Sequence, residues 1–196
     1  SSLLLALLSP LFLAVGLYIK AVSRGPVFYR HERIGRHGRP FTMWKFRTMR
    51  VHCDTTVHKD YLKTLIRNGQ TQAMQKLDET ADNRLIPLAR VFRKACIDEL
   101  PQLINVFLGD MSLVGPRPER PPFVQQFRER IPQYMRRHRV KGGMTGWAQV
   151  NGWRGNTSIE KRIEYDLYYI ENWSLALDLK ILWRTIPAVL AGTGAK

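Results

Sequence analysis

Two adjacent acids, Asp98 and Glu99, lie in a chain dominated by basic residues. The chain has 31 Lys plus Arg against 16 Asp plus Glu, a formal net charge of +15. An aspartate carboxylate can attack phosphorus as a nucleophile, and carboxylates together with phosphate oxygens can hold Mg²⁺. Attack on an anionic phosphate requires nearby cations or a metal to neutralise its charge. The pair is therefore a candidate reactive centre for a phosphorylated substrate, although an exposed pair on an ordinary helix has the same local sequence.

A set of basic side chains could provide that neutralising charge. Arg117 lies between Pro116 and Pro118, which restrict its backbone and lower the cost of placing its planar guanidinium on a phosphate. The other members of the set are Lys45 and Arg47 on a predicted strand, Arg93 about one helical turn before Asp98, and Arg154 in a Gly-rich loop. Each of these residues alone is typical of a solvated surface charge. Together they favour an anion site.

The excess of positive charge predicts an anionic partner, which could be nucleic acid, an anionic membrane surface or a phosphate-bearing substrate. The basic residues are spread along the chain and an apolar terminus accompanies them, which argues against nucleic acid. A chain of 196 residues is long enough for one domain with its own core. The two cysteines, Cys53 and Cys96, match no metal-binding spacing and are predicted to be reduced thiols.

The first residues form an almost wholly apolar segment from Leu3 to Ile19. As a helix it would be about 25 Å long, close to the lower limit for crossing a hydrocarbon core of about 30 Å. Ser9-Pro10 lies near its middle, where proline removes a backbone donor and kinks or breaks a helix. The segment therefore predicts membrane insertion, as a straight span or as a bent helix that enters and leaves by one face. A buried core helix is the structural alternative.

The rest of the chain predicts an α+β fold, mainly α-helical, with a small β-hairpin and amphipathic helices at the membrane interface. The hairpin covers 26–49, with Gly35 to Gly38 near its turn. Helices are expected at 54–80, at 85–108 with an interruption at Pro101, and at 123–139. Loops are expected at 109–122 and 142–155. Two further helices follow, capped by Ser158 and Ser174 and running toward Glu171 and Leu190. The last is broadly apolar, as at a headgroup region or in a core.

Several long motifs, in a fixed order along the chain, resemble those of a known protein family. They are Ser9-Pro10, KFRTM at 45–49, DELPQL at 98–103, GDMSLVGPRPE at 109–119 and GMTGWAQVNGWRGN at 143–156. With them the chain resembles the bacterial sugar transferase family, the monotopic phosphoglycosyl transferases, over nearly its whole length. It departs from the family pattern at Asn151-Gly152-Trp153-Arg154, where many members place Arg directly after Gly, and Arg154 is taken for that role. It also reads GGM at 142–144 where Pro-Gly is common.

The resemblance implies transfer of a sugar 1-phosphate from a nucleotide sugar to a polyprenyl phosphate, with release of UMP. It implies that Asp98 attacks the β-phosphate of the UDP-sugar to form a covalent intermediate, and that Glu99 supports magnesium or the acceptor. The pair would then bind the cofactor magnesium. Arg117 in its Pro116–Pro118 motif would hold substrate phosphate or nucleotide. Lys45, Arg47, Arg93 and Arg154 would line the substrate site.

The resemblance also implies a location and partners. Ser9-Pro10 favours a re-entrant helix, so residues 1–24 form a membrane helix with its junction and 25–196 a catalytic domain on the cytoplasmic face of the bacterial inner membrane. The stretch from Gly152 to Leu175 resembles the exopolysaccharide branch, which uses glucose 1-phosphate, with galactose left open. The expected partners are a UDP-sugar, undecaprenyl phosphate and anionic lipids, with a homodimer as an open alternative. Members of this branch often carry further transmembrane helices before this region, so the chain is expected to be the C-terminal part of a longer protein.

Overall fold

The structure is a computed structural model that describes residues 1–51, 84–155 and 157–191. The helix predicted at 54–80 lies outside these residues, as does Cys53. Within the described residues, helices alternate with short strands that form two two-stranded sheets. This architecture confirms the predicted α+β, mainly α-helical fold.

The first helix, α1 (Ser2–Val22), is long and apolar enough to cross a membrane by length and composition. Its second half enters the core, where Val15 and Ile19 are buried, whereas side chains near its start such as Leu3 are exposed. Helical conformation continues through Pro10, so the break predicted at Ser9-Pro10 is not seen. A bend of this helix within a membrane stays a prediction.

The predicted hairpin is confirmed. Strands β1 (Phe28–Ile34) and β2 (Pro40–Phe46) are antiparallel and joined through a short 3₁₀ turn at Arg36–Gly38. Asn105 fixes the hairpin to the rest of the molecule: its side-chain oxygen accepts from the Trp44 amide at 3.0 Å and its amide donates to Thr42 O at 2.7 Å. Because Asn105 is fully buried and both ends of its amide are bonded, it sets where β2 lies.

The helical stretch predicted at 85–108 is interrupted earlier than expected. Helix α2 (Ala89–Lys94) ends before Cys96, which has a left-handed backbone with φ of 55°. A 3₁₀ turn at Ile97–Glu99 follows, and then helix α3 (Gln102–Leu108) starts after Pro101. The two acids therefore lie on a short 3₁₀ turn between two helices, and not on a continuous helix.

Two stretches predicted to be loops contain strands. Strand β3 (Met111–Val114) pairs in parallel with β4 (Gly142–Thr145). The pairing depends on glycine, because a Cβ added at Gly143 would lie 2.1 Å from the Gly115 nitrogen. The loop predictions were wrong because both strands have only four residues, and two of those in β4 are glycines, which leaves too little side-chain pattern to distinguish them from turns.

The remaining elements are helical. Helix α4 (Pro121–Arg130) is shorter than predicted, since the chain turns at Gln133 and continues as a 3₁₀ helix at Tyr134–Arg139. After the short helix α5 (Trp147–Val150) come α6 (Ile159–Glu171) and α7 (Leu175–Leu190). The predicted caps are confirmed, because the hydroxyls of Ser158 and Ser174 accept from the amides of Lys161 and Leu177. Much of α7 is exposed and apolar, and its position at a membrane interface stays a prediction.

Candidate active site

Asp98 has a buried carboxylate group with few direct polar contacts. It is 9% exposed, and within the described residues no hydrogen bond or ion pair engages its carboxylate oxygens. Burial raises its pKa from the ordinary 3.8 to about 6, and the neighbouring Glu99 carboxylate raises it as well. The positive charges of Lys45, Arg93 and Arg117 oppose this shift without cancelling it. Asp98 is therefore a carboxylate kept unpaired among cations.

Glu99 has the opposite environment. Its Oε1 accepts from Lys45 Nζ at 2.8 Å, and both Arg117 Nη atoms donate to its two oxygens, one of them to Oε2 at 2.9 Å. Burial would raise the pKa of Glu99, but the charges of Arg117 and Lys45 outweigh burial and hold it well below its usual range. The two acids diverge because neighbours on a 3₁₀ turn point about 120° apart. Glu99 is thus ionised and fully engaged.

The two cations that hold Glu99 are themselves partly buried, with 18% and 20% of their side chains exposed. Burial lowers the pKa of Lys45, and the attraction of Glu99 opposes this effect. For Arg117 the balance differs: burial would lower its pKa, but Glu99 raises it above the usual range. Arg117 therefore stays a cation with a fixed direction. Its two parallel bonds to Glu99 fix the plane of the guanidinium.

Arg93 and Arg154 approach the pair from other elements. Arg93, near the end of α2, donates from Nε to Thr48 Oγ1 at 3.1 Å, and its charge acts on Asp98. Arg154 donates to the Cys96 sulfur at 3.5 Å, and its charge acts on Glu99. The structure therefore brings four of the predicted basic residues around the acids.

Arg47 is not brought into this site. Its guanidinium donates to Pro26 O at 2.6 Å, to Ser23 Oγ and O at 2.7 and 2.9 Å, and to Met49 O at 3.2 Å. These acceptors lie at the end of α1 and at the start and end of the hairpin. Arg47 therefore joins α1 to the hairpin and points away from the two acids, which corrects its prediction as a substrate-binding residue.

The two predicted magnesium ligands, Asp98 and Glu99, are not equally able to hold the ion. Mg²⁺ in phosphate-transfer sites takes one or two carboxylates, and substrate phosphates and water complete its coordination. The unpaired carboxylate of Asp98 fits this requirement. Glu99 does not, because Lys45 and Arg117 occupy both of its oxygens. Among the described residues no group of three or more His, Cys, Asp and Glu side chains could hold an ion without substrate.

A charged cluster behind Arg117 was missed by the sequence analysis. Glu119 pairs with Arg33 at 3.6 Å and with Arg162 at 3.1 Å, and Arg137 pairs with Asp166 at 2.6 Å. These residues are distant in sequence and lie on β1, the 3₁₀ helix and α6. The only available signal was the presence of Glu119 directly after the Pro-Arg-Pro motif, which does not identify its partners.

The site and fold agree with the comparison to known families. The model of the family described as "Bacterial sugar transferase" matches residues 1–192. The chain therefore belongs to the bacterial sugar transferase family, which confirms the resemblance found in the motifs.

Curated relatives narrow the comparison further. The chain is similar to the UDP-glucose:undecaprenyl-phosphate glucose-1-phosphate transferase of Escherichia coli, with 43% identity over 95% of this chain and 37% of the relative. It is also similar to the UDP-N-acetylgalactosamine-undecaprenyl-phosphate N-acetylgalactosaminephosphotransferase of Aeromonas hydrophila, with 42% identity over 97% of this chain and 41% of the relative. A Caulobacter vibrioides relative with the same name as the Escherichia coli protein is 42% identical over 100% of this chain and 68% of the relative. The chain spans little more than a third of the length of the Escherichia coli protein and of two further relatives with the same name.

Proposed function

We propose that this chain transfers a hexose 1-phosphate, with glucose as the first choice of sugar, from a UDP-sugar to undecaprenyl phosphate. The observation that carries the proposal is the buried, unpaired carboxylate of Asp98, on which the charges of three cations, Lys45, Arg93 and Arg117, act. Such a group can attack phosphorus, since it is ionised at neutral pH but is not stabilised by a hydrogen bond that the attack would have to break.

The reaction is proposed to occur in two balanced steps. In the first, a carboxylate oxygen of Asp98 forms a bond to the β-phosphorus, and the bond from that phosphorus to the bridging oxygen breaks, so that UMP leaves with the electron pair. In the second, a phosphate oxygen of undecaprenyl phosphate attacks the same phosphorus. The bond to Asp98 breaks, the carboxylate is regenerated and the sugar is joined to the lipid through a diphosphate.

The surrounding residues have distinct proposed roles. Arg117 and Lys45 neutralise the diphosphate charge that develops as the bridging bond breaks, and Glu99 keeps both cations in place. Arg93 and Arg154 hold the remaining phosphate oxygens. Pro116 and Pro118 restrict the backbone on either side of Arg117. Magnesium, held by Asp98 and substrate phosphates, would supply further neutralising charge when bound.

The sugar and the setting are inferred from the relatives. Two relatives are named for glucose 1-phosphate transfer and one for N-acetylgalactosamine, so the relatives favour glucose without excluding another hexose such as galactose. We place the reaction at the start of exopolysaccharide or capsule repeat units, on the cytoplasmic face of the bacterial inner membrane. The apolar helix α1 and anionic lipids around the basic surface would hold the chain there. A homodimer remains an option.

The test measures UMP release by purified protein in detergent with UDP-glucose, magnesium and undecaprenyl phosphate. Asp98→Asn is expected to abolish release, because a neutral amide cannot act as the nucleophile. Glu164→Gln, on the exposed face of α6, is the matched control and should retain activity.

Mass spectrometry should find a phosphosugar adduct on Asp98 when the acceptor is omitted. Release by the Asn variant, or no release from any UDP-hexose, would refute the proposal, and salt-dependent binding of duplex DNA without turnover would favour a nucleic-acid module.

A further inference from the structure

The backbone that carries Arg117 is held at four consecutive carbonyl groups. Pro116 O accepts from the Gly143 amide at 2.9 Å, and Arg117 O accepts from Arg137 Nη2 at 2.9 Å. Pro118 O accepts from Arg33 Nη1 at 3.0 Å, and Glu119 O accepts from the Ile34 amide at 2.9 Å. Two of these four donors are backbone amides, and the other two are the guanidinium groups of Arg33, which is partly buried, and Arg137, which is buried. A segment whose prolines already restrict its backbone is thereby fixed on its carbonyl side as well.

Arg137 is deeply buried and does not contact the acids of the site. It is 3% exposed and donates from Nε and Nη2 to one oxygen of Asp166, at 3.0 and 2.6 Å, while Asp166 is 2% exposed. Its Nη1 donates to the Tyr134 hydroxyl at 3.2 Å. The only one of these bonds that leaves the local cluster of Tyr134, Arg137 and Asp166 is the bond to Arg117 O.

A purely stabilising role does not account well for this pair. Replacing a buried ion pair by apolar residues of similar volume is often neutral or stabilising, because desolvation offsets much of the attraction. The same charges are useful where one donor must be held at a fixed place and angle. Arg137 meets this need. Its two bonds to Asp166 fix the plane of the guanidinium and leave one hydrogen on Nη2 to donate to Arg117 O.

We propose that Arg137, oriented by Asp166, is a positioning residue for Arg117. By holding the carbonyl oxygen of Arg117, it fixes the direction in which the Arg117 side chain leaves the backbone, and with it the two-bond contact to Glu99. The inference rests on the proposed function, because it assigns Arg117 to the transfer of the phosphosugar. It adds a residue about 20 positions away in sequence that acts on substrate only through Arg117.

A double-mutant cycle tests this role. Arg137→Lys keeps the charge but cannot bond Asp166 and the carbonyl in one plane, so kcat for UMP release should fall about 10- to 100-fold, with a smaller change in KM. Arg117→Lys should itself lower kcat. If Arg137 acts through Arg117, adding Arg137→Lys to Arg117→Lys should change kcat by less than about twofold. Independent, multiplying effects of the two variants would overturn the proposal.

The control separates positioning from loss of stability. Ile163 is buried on the same helix as Asp166 and in one apolar cluster with Tyr134, but it is not bonded to the 116–119 segment. Ile163→Ala should lower the unfolding temperature yet leave kcat within about twofold. An Ile163→Ala variant as inactive as Arg137→Lys would indicate that stability alone is measured. Asp166→Asn, which keeps an oxygen acceptor for Arg137, serves if Arg137→Lys fails to fold, and it should lower kcat more than Ile163→Ala does.

Hydrogen exchange distinguishes failure of this inference from failure of the proposed function. The amides of Gly143 and Ile34 donate to the held segment, so their exchange reports on it without any substrate. In Arg137→Lys these amides should exchange faster than in the parent protein, whereas in Ile163→Ala they should change no more than the rest of the domain. If the parent protein releases no UMP, this measurement still tests the positioning. Unchanged exchange in Arg137→Lys would overturn it.

Discussion

The ionised carboxylate of Asp98 is expected to destabilise the folded protein. Its pKa rises from the ordinary 3.8 to about 6, and each pH unit of difference corresponds to about 1.4 kcal/mol. At pH 7 the charged group therefore costs the folded state about 3 kcal/mol relative to the unfolded chain. Asp98→Asn resembles the protonated acid in shape and charge. The inactive variant should thus be more stable than the parent protein, by up to about 3 kcal/mol.

The sign of the pH dependence follows from the direction of the shift. Because the pKa of Asp98 is raised on folding, the folded state binds its proton more tightly than the unfolded state. The penalty is complete above pH 6, about half as large at pH 5, and absent below about pH 4. The stability advantage of Asp98→Asn should shrink in the same interval. Activity of the parent protein should fall about tenfold per pH unit below pH 6, since only the carboxylate attacks.

The assay is thermal unfolding in detergent, followed by tryptophan fluorescence at pH 7.5 and at pH 4.5. For a chain of this size, about 3 kcal/mol raises the unfolding temperature by roughly 6–12 °C. Glu164→Gln removes a carboxylate from the exposed face of α6 and should change stability by less than about 0.5 kcal/mol. An Asp98→Asn variant that is less stable than the parent at pH 7.5, or whose advantage over the parent is the same at both pH values, would refute the argument from burial.

Three further substitutions have expected outcomes. Glu99→Gln leaves two partly buried cations without their counter-charge, so it should lower both kcat in the UMP assay and the free energy of unfolding, the latter by up to about 3 kcal/mol. Gly143→Ala places a Cβ 2.1 Å from the Gly115 nitrogen and should prevent accumulation of folded protein, as judged by size-exclusion chromatography. Arg47→Ala should lower the unfolding temperature while KM for the UDP-sugar stays within about twofold; a KM effect without a stability effect would return Arg47 to the substrate site.

The parts of the site that were predicted from sequence are those whose chemistry is local. Asp98-Glu99 and the Pro116–Pro118 motif stand out because residue type and neighbour are sufficient to suggest a role. The hairpin and the serine caps were predicted for the same reason, since a turn glycine or a capping hydroxyl acts within a few residues. The four cations were predicted as a group, with Arg47 wrongly included, because an anionic substrate needs positive charge, without any knowledge of their distances.

The parts that were not predicted depend on contacts between distant residues. The left-handed backbone at Cys96 carries no signal in its residue type, since cysteine has no special preference for positive φ. Parallel pairing of β3 and β4 needs the close approach of Gly115 to Gly143, which becomes visible only when both strands are placed. Arg47 shows the opposite error: it lies in a motif with Lys45, but β2 ends at Phe46, so the strand no longer sets its direction and its guanidinium lies at the junction with α1.

The two acids have different environments although they are neighbours on one 3₁₀ turn. Opposite shifts of neighbouring groups identify how acid and base tasks are divided in an active site. Here the cations that could have neutralised Asp98 are held by Glu99, since Lys45 and Arg117 both donate to it. Glu99 therefore has a role other than holding a metal: it binds Lys45 and Arg117 and keeps them from pairing with Asp98. If Glu99 were absent, Arg117 could turn to Asp98, lower its pKa and reduce its nucleophilicity, so the low pKa of one acid maintains the reactivity of the other.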